Sequence, residues 1–155
     1  MMKLTRIMQI SLSATLVSLM AGFVLAQEVT PKKKQVPHAV IAAFQSAYPK
    51  ATIRGYSREK EKGKTYYEVE SVEGQTTRDI LYNPDGTVAE IEEGIAIADL
   101  PAAASEALRT KFPGAVITSA EKITRGDITE YEAHGKMRKK KVSMEFDARG
   151  NPLRN

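Results

Sequence analysis

Residues 100–115 read LPAAASEALRTKFPGA, and residues 36–51 read VPHAVIAAFQSAYPKA. These are two writings of one helix, 64 residues apart. Sliding the chain against itself by 64 aligns 36–91 with 100–155 without a gap. Ten of the 56 pairs are identical, among them Pro37/Pro101, Pro49/Pro113, Ile53/Ile117, Tyr67/Tyr131, Glu68/Glu132 and Gly86/Gly150. Average composition would give roughly three or four. Other pairs keep their physical type: Phe44/Leu108, Tyr48/Phe112, Ile80/Met144, Tyr82/Phe146. The spacing predicts a duplicated unit.

Each unit opens with a helix. Pro37 and Pro101 stand in the first turn, where a proline has no amide hydrogen to lose. Val40, Phe44, Ala47 and Tyr48 form one apolar stripe, which Ala104, Leu108 and Phe112 repeat. Pro49 and Pro113 stop both helices, because the residue before a proline is driven out of the helical region. The apolar period then becomes two. Strands are predicted at 51–59, 64–72 and 78–82, and again at 115–123, 128–135 and 142–146. Tyr67, Val69, Ile80 and Tyr82 share the inward face, as do Tyr131, Ala133, Val142, Met144 and Phe146. NPDG (83–86) and DARG (147–150) are turns whose glycines can take positive φ. A fourth strand, TVAEIEE (87–93), follows the first turn; its counterpart NPLRN (151–155) is cut short. The expected fold is α+β: two tandem helix-plus-meander repeats (α-β-β-β-β), with the helix on one sheet face. One unit of about 60 residues is marginal alone, so two must share a core or join their sheets.

The first 26 residues are set apart from this fold. MMKLTR supplies Lys3 and Arg6, an apolar run follows, and VLA closes it at Ala26. This is the pattern of a secretory signal peptide. An uncleaved anchor over 7–26 is the alternative. Gln9, Ser11 and Ser13 interrupt that run, and Lys32–Lys34 would lie on the wrong side of it. Cleavage leaves 27–35 as a linker, 36–93 as the first repeat, 94–99 as a connector and 100–155 as the second repeat. The connector GIAIADLP (94–101) is apolar, so docked units are expected. The protein would be periplasmic or secreted, with no stable membrane insertion after cleavage. Losing the leader's two basic residues takes the formal charge from +4 to +2, which gives no reason to expect nucleic acid. With no cysteine the chain has neither a disulfide nor a thiolate zinc site.

AFQSAYPKATI, YYEVE and LYNPDGTV, repeated as ALRTKFPGAVI, YEAHG and EFDARG, resemble the PepSY-like family of exported bacterial domains. That family is also described as resembling the β-lactamase-inhibitory protein. The resemblance covers nearly all of 36–155. It implies a periplasmic or secreted protein-binding or inhibitory module with no catalytic set, binding through an exposed sheet face. The shortened last strand of the second unit would reduce the sheet that half can offer.

Chemistry is sparsely signalled. His38 and His134 lie outside H-E-x-x-H spacing, and no G-x-S-x-G or phosphate-binding glycine loop is present. Both read as surface histidines, His38 at a helix start and His134 near a strand end. Glu68 and Glu132 alternate with inward tyrosines and read as solvent-facing carboxylates. NPDG lacks the ligands of a calcium loop and is a turn. An enzyme, a cofactor and a metal site are therefore not expected. KMRKKK (136–141) falls between the second and third strands of the second unit. It reads either as a solvated hairpin guarding a strand edge or as an envelope contact with anionic surfaces, centred on Lys139 and Lys141. Tyr56 and Tyr66 have Ala120 and Glu130 as partners in the second unit. If both face away from the helix, ringed by Arg54, Glu68 and Glu70, they anchor another exported protein; otherwise they cover the seam between the units.

Overall fold

The computed structural model describes residues 35–61 and 63–153. The expected leader 1–26 and most of the linker 27–35 lie outside the described residues. The first half runs α1 (His38–Ala47), β1 (Thr52–Glu61), β2 (Lys64–Glu73), β3 (Thr76–Tyr82) and β4 (Val88–Ile95). A short 3-10 turn at Ile97–Asp99 leads to α2 (Ala102–Lys111), β5 (Val116–Arg125), β6 (Ile128–Met137) and β7 (Lys140–Asp147). Each of α2, β5, β6 and β7 begins 64 residues after its counterpart. The seven strands form one antiparallel sheet in chain order, β1 to β7. The halves join edge to edge, with β4 hydrogen-bonded to β5 from Ile91↔Thr124 to Ile95↔Ala120.

The local signals act at equivalent places in both halves. Pro37 and Pro101 are the N-caps, one residue before the helices, with φ of −54° and −51°. Tyr48 and Phe112 end the helices at φ of −130° and −128°, immediately before Pro49 and Pro113. Gly86 and Gly150 take φ of 86° and 85°. Each turn lies under the first turn of its own helix. A Cβ on Gly86 would come within 2.7 Å of the Ala39 carbonyl oxygen, and one on Gly150 within 2.7 Å of the Ala104 amide. Only glycine fits that approach.

Two apolar clusters lie on the same face of the sheet. In one, Val40, Ile41 and Phe44 from α1 meet Val69, Ile80 and Tyr82. In the other, Ala104 and Leu108 from α2 meet Ala120, Ala133, Met144 and Phe146. Phe44 and Tyr82 are each 1 % exposed, and Leu108 and Phe146 are 4 % and 0 %. Ile91 of β4 packs on the first cluster and Ile95 on the second, so the seam strand serves both. Among the described residues the second half has no full fourth strand. After the DARG turn Phe146 bridges Pro152, flanked by the Asp147 amide donating to the Asn151 carbonyl and the Leu153 amide donating to the Glu145 carbonyl. Phe146 and Pro152 form a non-hydrogen-bonded pair, so the missing proline amide costs this ladder no bond.

Candidate functional site

Because both helices cover one face, the register of the ladders decides what the other face carries. One row across the strands reads Gly55, Glu70, Asp79, Glu92, Ile123, Glu130 and Asp147. Beside it Ser57, Glu68, Leu81 and Glu90 are aligned. Toward the second half Gly94, Glu121, Glu132 and Glu145 stand in line. No described helix lies against this face, and ten carboxylates stand in these three rows.

Several of these acids are not surface groups. Glu68 is buried, 7 % exposed, as are Glu90 and Glu132. The expectation that Glu68 and Glu132 face solvent is therefore corrected. Ser57 Oγ donates to Glu68 Oε2 at 2.5 Å. Burial raises the Glu68 pKa to about 8, assisted by the charges of Glu59, Asp79 and Glu70 and opposed by the Ser57 hydrogen bond. Asp79 is raised to about 7 by burial and by Glu70, Glu92 and Glu121. Crowded carboxyls in a shielded row hold protons that isolated ones would lose. Arg125, on this face, donates to both Glu90 and Glu130, and the register carries the row on to Lys136 and Lys141 at the far end of the second half.

The two tyrosines separate. Tyr66 pairs with Glu59 and lies on the acidic face, half-buried. Tyr56 pairs with Val69 and packs on the first apolar cluster, on the helix side. The expected pair of outward aromatic anchors is thus reduced to Tyr66. The cause is a bulge between Ile53 and Gly55, which inserts a residue and restores Tyr56 to the face of Ile53. The same bulge recurs between Ile117 and Ser119, and Ala120 is buried there as well. Arg54, placed in the expected rim, is the exposed residue of the bulge; Glu70 is on the acidic face as expected.

Lys139 and Lys141 are exposed, at the hairpin between β6 and β7, where Arg138 takes a φ of 56°. They lie at one end of the second half and do not join the Tyr66–Glu68 region. His38 is exposed at the start of α1. His134 is not near a strand end but inside β6, with Nε2 3.5 Å from Glu132 and 3.9 Å from Glu121. In the sequence Glu132 and His134 are read singly, and Glu121 is not singled out. The alternation of Glu132 and His134 in YEAHG, with a two-residue turn between β5 and β6, was the signal that places them together.

The family described as "Putative beta-lactamase-inhibitor-like, PepSY-like" matches residues 26–89 and 65–154. The chain belongs to the PepSY-like family. Its fold is similar to that of three solved Bacteroides proteins. One, from Bacteroides eggerthii, is described as a "putative periplasmic" protein; it is 19 % identical, with 77 % of this chain and 86 % of that one covered and a TM-score of 0.63. A DUF2874 family protein from Bacteroides uniformis is 15 % identical over 76 % and 86 %, with a TM-score of 0.61. A BLIP-like protein from Bacteroides fragilis is 21 % identical over 76 % and 84 %, at 0.57. No curated protein matches this chain. For this PepSY-like chain these likenesses establish the fold.

Proposed function

We propose that this PepSY-like protein is an exported, non-catalytic binding module whose uncovered sheet face receives another exported protein, as an inhibitor or a sequestering partner. The single observation that carries the reading is the acidic face itself. One continuous sheet joins both halves, and its helix-free side presents Glu70, Asp79 and Glu92 in one row, with Tyr66 farther along β2 on the same side. Such a face matches a partner with a basic surface, since charge complementarity sets partner choice and encounter rate. The leader-like first 26 residues support export, as does the description of the Bacteroides eggerthii neighbour as periplasmic. Among the described residues no helix is long and apolar enough to cross a membrane. The tandem units, 36–93 and 100–155, then form one binding surface and not two independent ones.

Site-specific photo-crosslinking in cells tests the proposal. A crosslinking side chain at position 66 should capture a protein partner, and Glu70→Lys with Glu92→Lys should abolish the capture. Position 139 should capture none. Capture from 139 alone would favour the basic hairpin 136–141 as the working surface, in contact with anionic envelope components.

A further inference from the structure

Glu132 and His134 alternate along β6, and Glu121 stands opposite Glu132 on β5. All three therefore share one patch of the acidic face. One donor atom from each lies within 4.8 Å of the other two. His134 Nε2 is shielded from solvent and makes no hydrogen bond. It points between two carboxylates, 3.5 Å from Glu132 Oε1 and 3.9 Å from Glu121 Oε2.

We propose that Glu121, Glu132 and His134 form a binding site for one divalent transition-metal ion, zinc being the ion that suits the donors best. The separations carry the argument. An imidazolium acting as a mere counter-ion would close to about 2.7–2.9 Å of a carboxylate oxygen. Two ligands of a tetrahedral ion, each bound at about 2.0 Å, stand about 3.3 Å apart. The 3.5 Å spacing between His134 and Glu132 is close to that edge, Glu121 stands 3.9 Å from the same nitrogen, and all three donors lie within 4.8 Å of one another. The donor types select the ion. An imidazole nitrogen suits zinc, copper, iron or nickel, whereas calcium and magnesium take oxygen donors. Two carboxylates and a neutral imidazole also balance a double positive charge.

The first half supplies an internal contrast. At the equivalent positions it has Ser57, Glu68 and Glu70. There the buried carboxyl is met by a hydroxyl donor, Ser57. In the second half the serine has become a glutamate and the second glutamate a histidine, so the same frame presents three ligands. Three protein ligands leave a coordination position for water or for a side chain of a bound protein.

The test is titration of the chelator-stripped full chain with zinc chloride by calorimetry. One equivalent should bind. His134→Ala and Glu132→Gln should each weaken binding at least about tenfold, while His38→Gln should leave it unchanged. Circular dichroism checks that the variants fold; Glu121→Gln, at a half-buried site, takes the place of Glu132→Gln if that variant does not. Calcium chloride in the same cell should give no comparable signal. The proposal is overturned if the folded chain takes up no zinc, if His134→Ala binds as the parent does, or if calcium binds as tightly as zinc.

Discussion

On β2 the buried Glu68 sits beside Ser57; on β6, 64 residues later, the buried Glu132 sits beside Glu121 and within reach of His134. The backbone is the same in both places, down to the bulge one strand away. What differs is the answer to one physical problem, a carboxylate removed from water. The first half meets it with a hydroxyl donor and a pKa of about 8. The second gathers a further carboxylate and an imidazole. Duplication thus kept the core apolar at equivalent positions in both copies and left the uncovered face to diverge.

Attacking the cores challenges the shared frame most severely. Phe44→Ala and Phe146→Ala should each cost about 3–5 kcal/mol in urea denaturation, because both rings are fully buried and a cavity would remain. A large loss for one and none for the other would mean that one half alone holds the sheet.

The next effect distinguishes the halves by pH. Between pH about 4.5 and 8 the folded chain keeps a proton on Glu68 that the unfolded chain releases. The folded state therefore binds more protons there, and stability should fall as pH rises through that window, by on the order of a few kcal/mol, before levelling off. Asp79 adds to the slope in the same direction up to pH about 7. Glu68→Gln should remove roughly half of the slope and leave a comparable Asp79 share. Melting temperatures from pH 5 to 9 check both statements, and a slope untouched in Glu68→Gln would refute the assignment.

The turns should respond alike in the two halves. Gly86→Ala and Gly150→Ala should each destabilise by about 1–3 kcal/mol, since positive φ and a helix backbone 2.7 Å from the new Cβ act together. Equal losses would support equivalent packing of both helices; a loss confined to Gly86→Ala would show that α2 docks differently.

The smallest effect has the opposite sign. Tyr82 carries a buried hydroxyl without a hydrogen-bond partner, where the second half has Phe146. Burial also pushes its pKa up to about 12. Tyr82→Phe should stabilise by about 1 kcal/mol, seen as a higher urea midpoint at unchanged slope.

Local chemistry explains why so much of the frame could be read from sequence. Prolines that begin and end the helices, glycines that must take positive φ, and apolar residues at periods near four and two all act through near neighbours. They placed Phe44, Leu108, Tyr82 and Phe146 correctly in the core. The uncovered face was harder to read because it depends on register. A single bulged residue after Ile53 moved Tyr56 from the expected outer face to the core, since an extra residue exchanges the two faces of a strand. The burial of Glu68 and the meeting of Glu121 with His134 arise between strands, where alternation along one strand says nothing of what stands opposite.

Nuclear magnetic resonance of the glutamate carboxyl carbons and histidine ring nitrogens tests the divergence of the halves most directly, through a pH titration with and without one equivalent of zinc. The account predicts a Glu68 midpoint of about 8 that zinc leaves in place, while the Glu121, Glu132 and His134 Nε2 signals shift together on zinc addition. A Glu68 midpoint in the ordinary carboxylate range, or zinc shifts shared equally by Glu68 and Glu132, would contradict it.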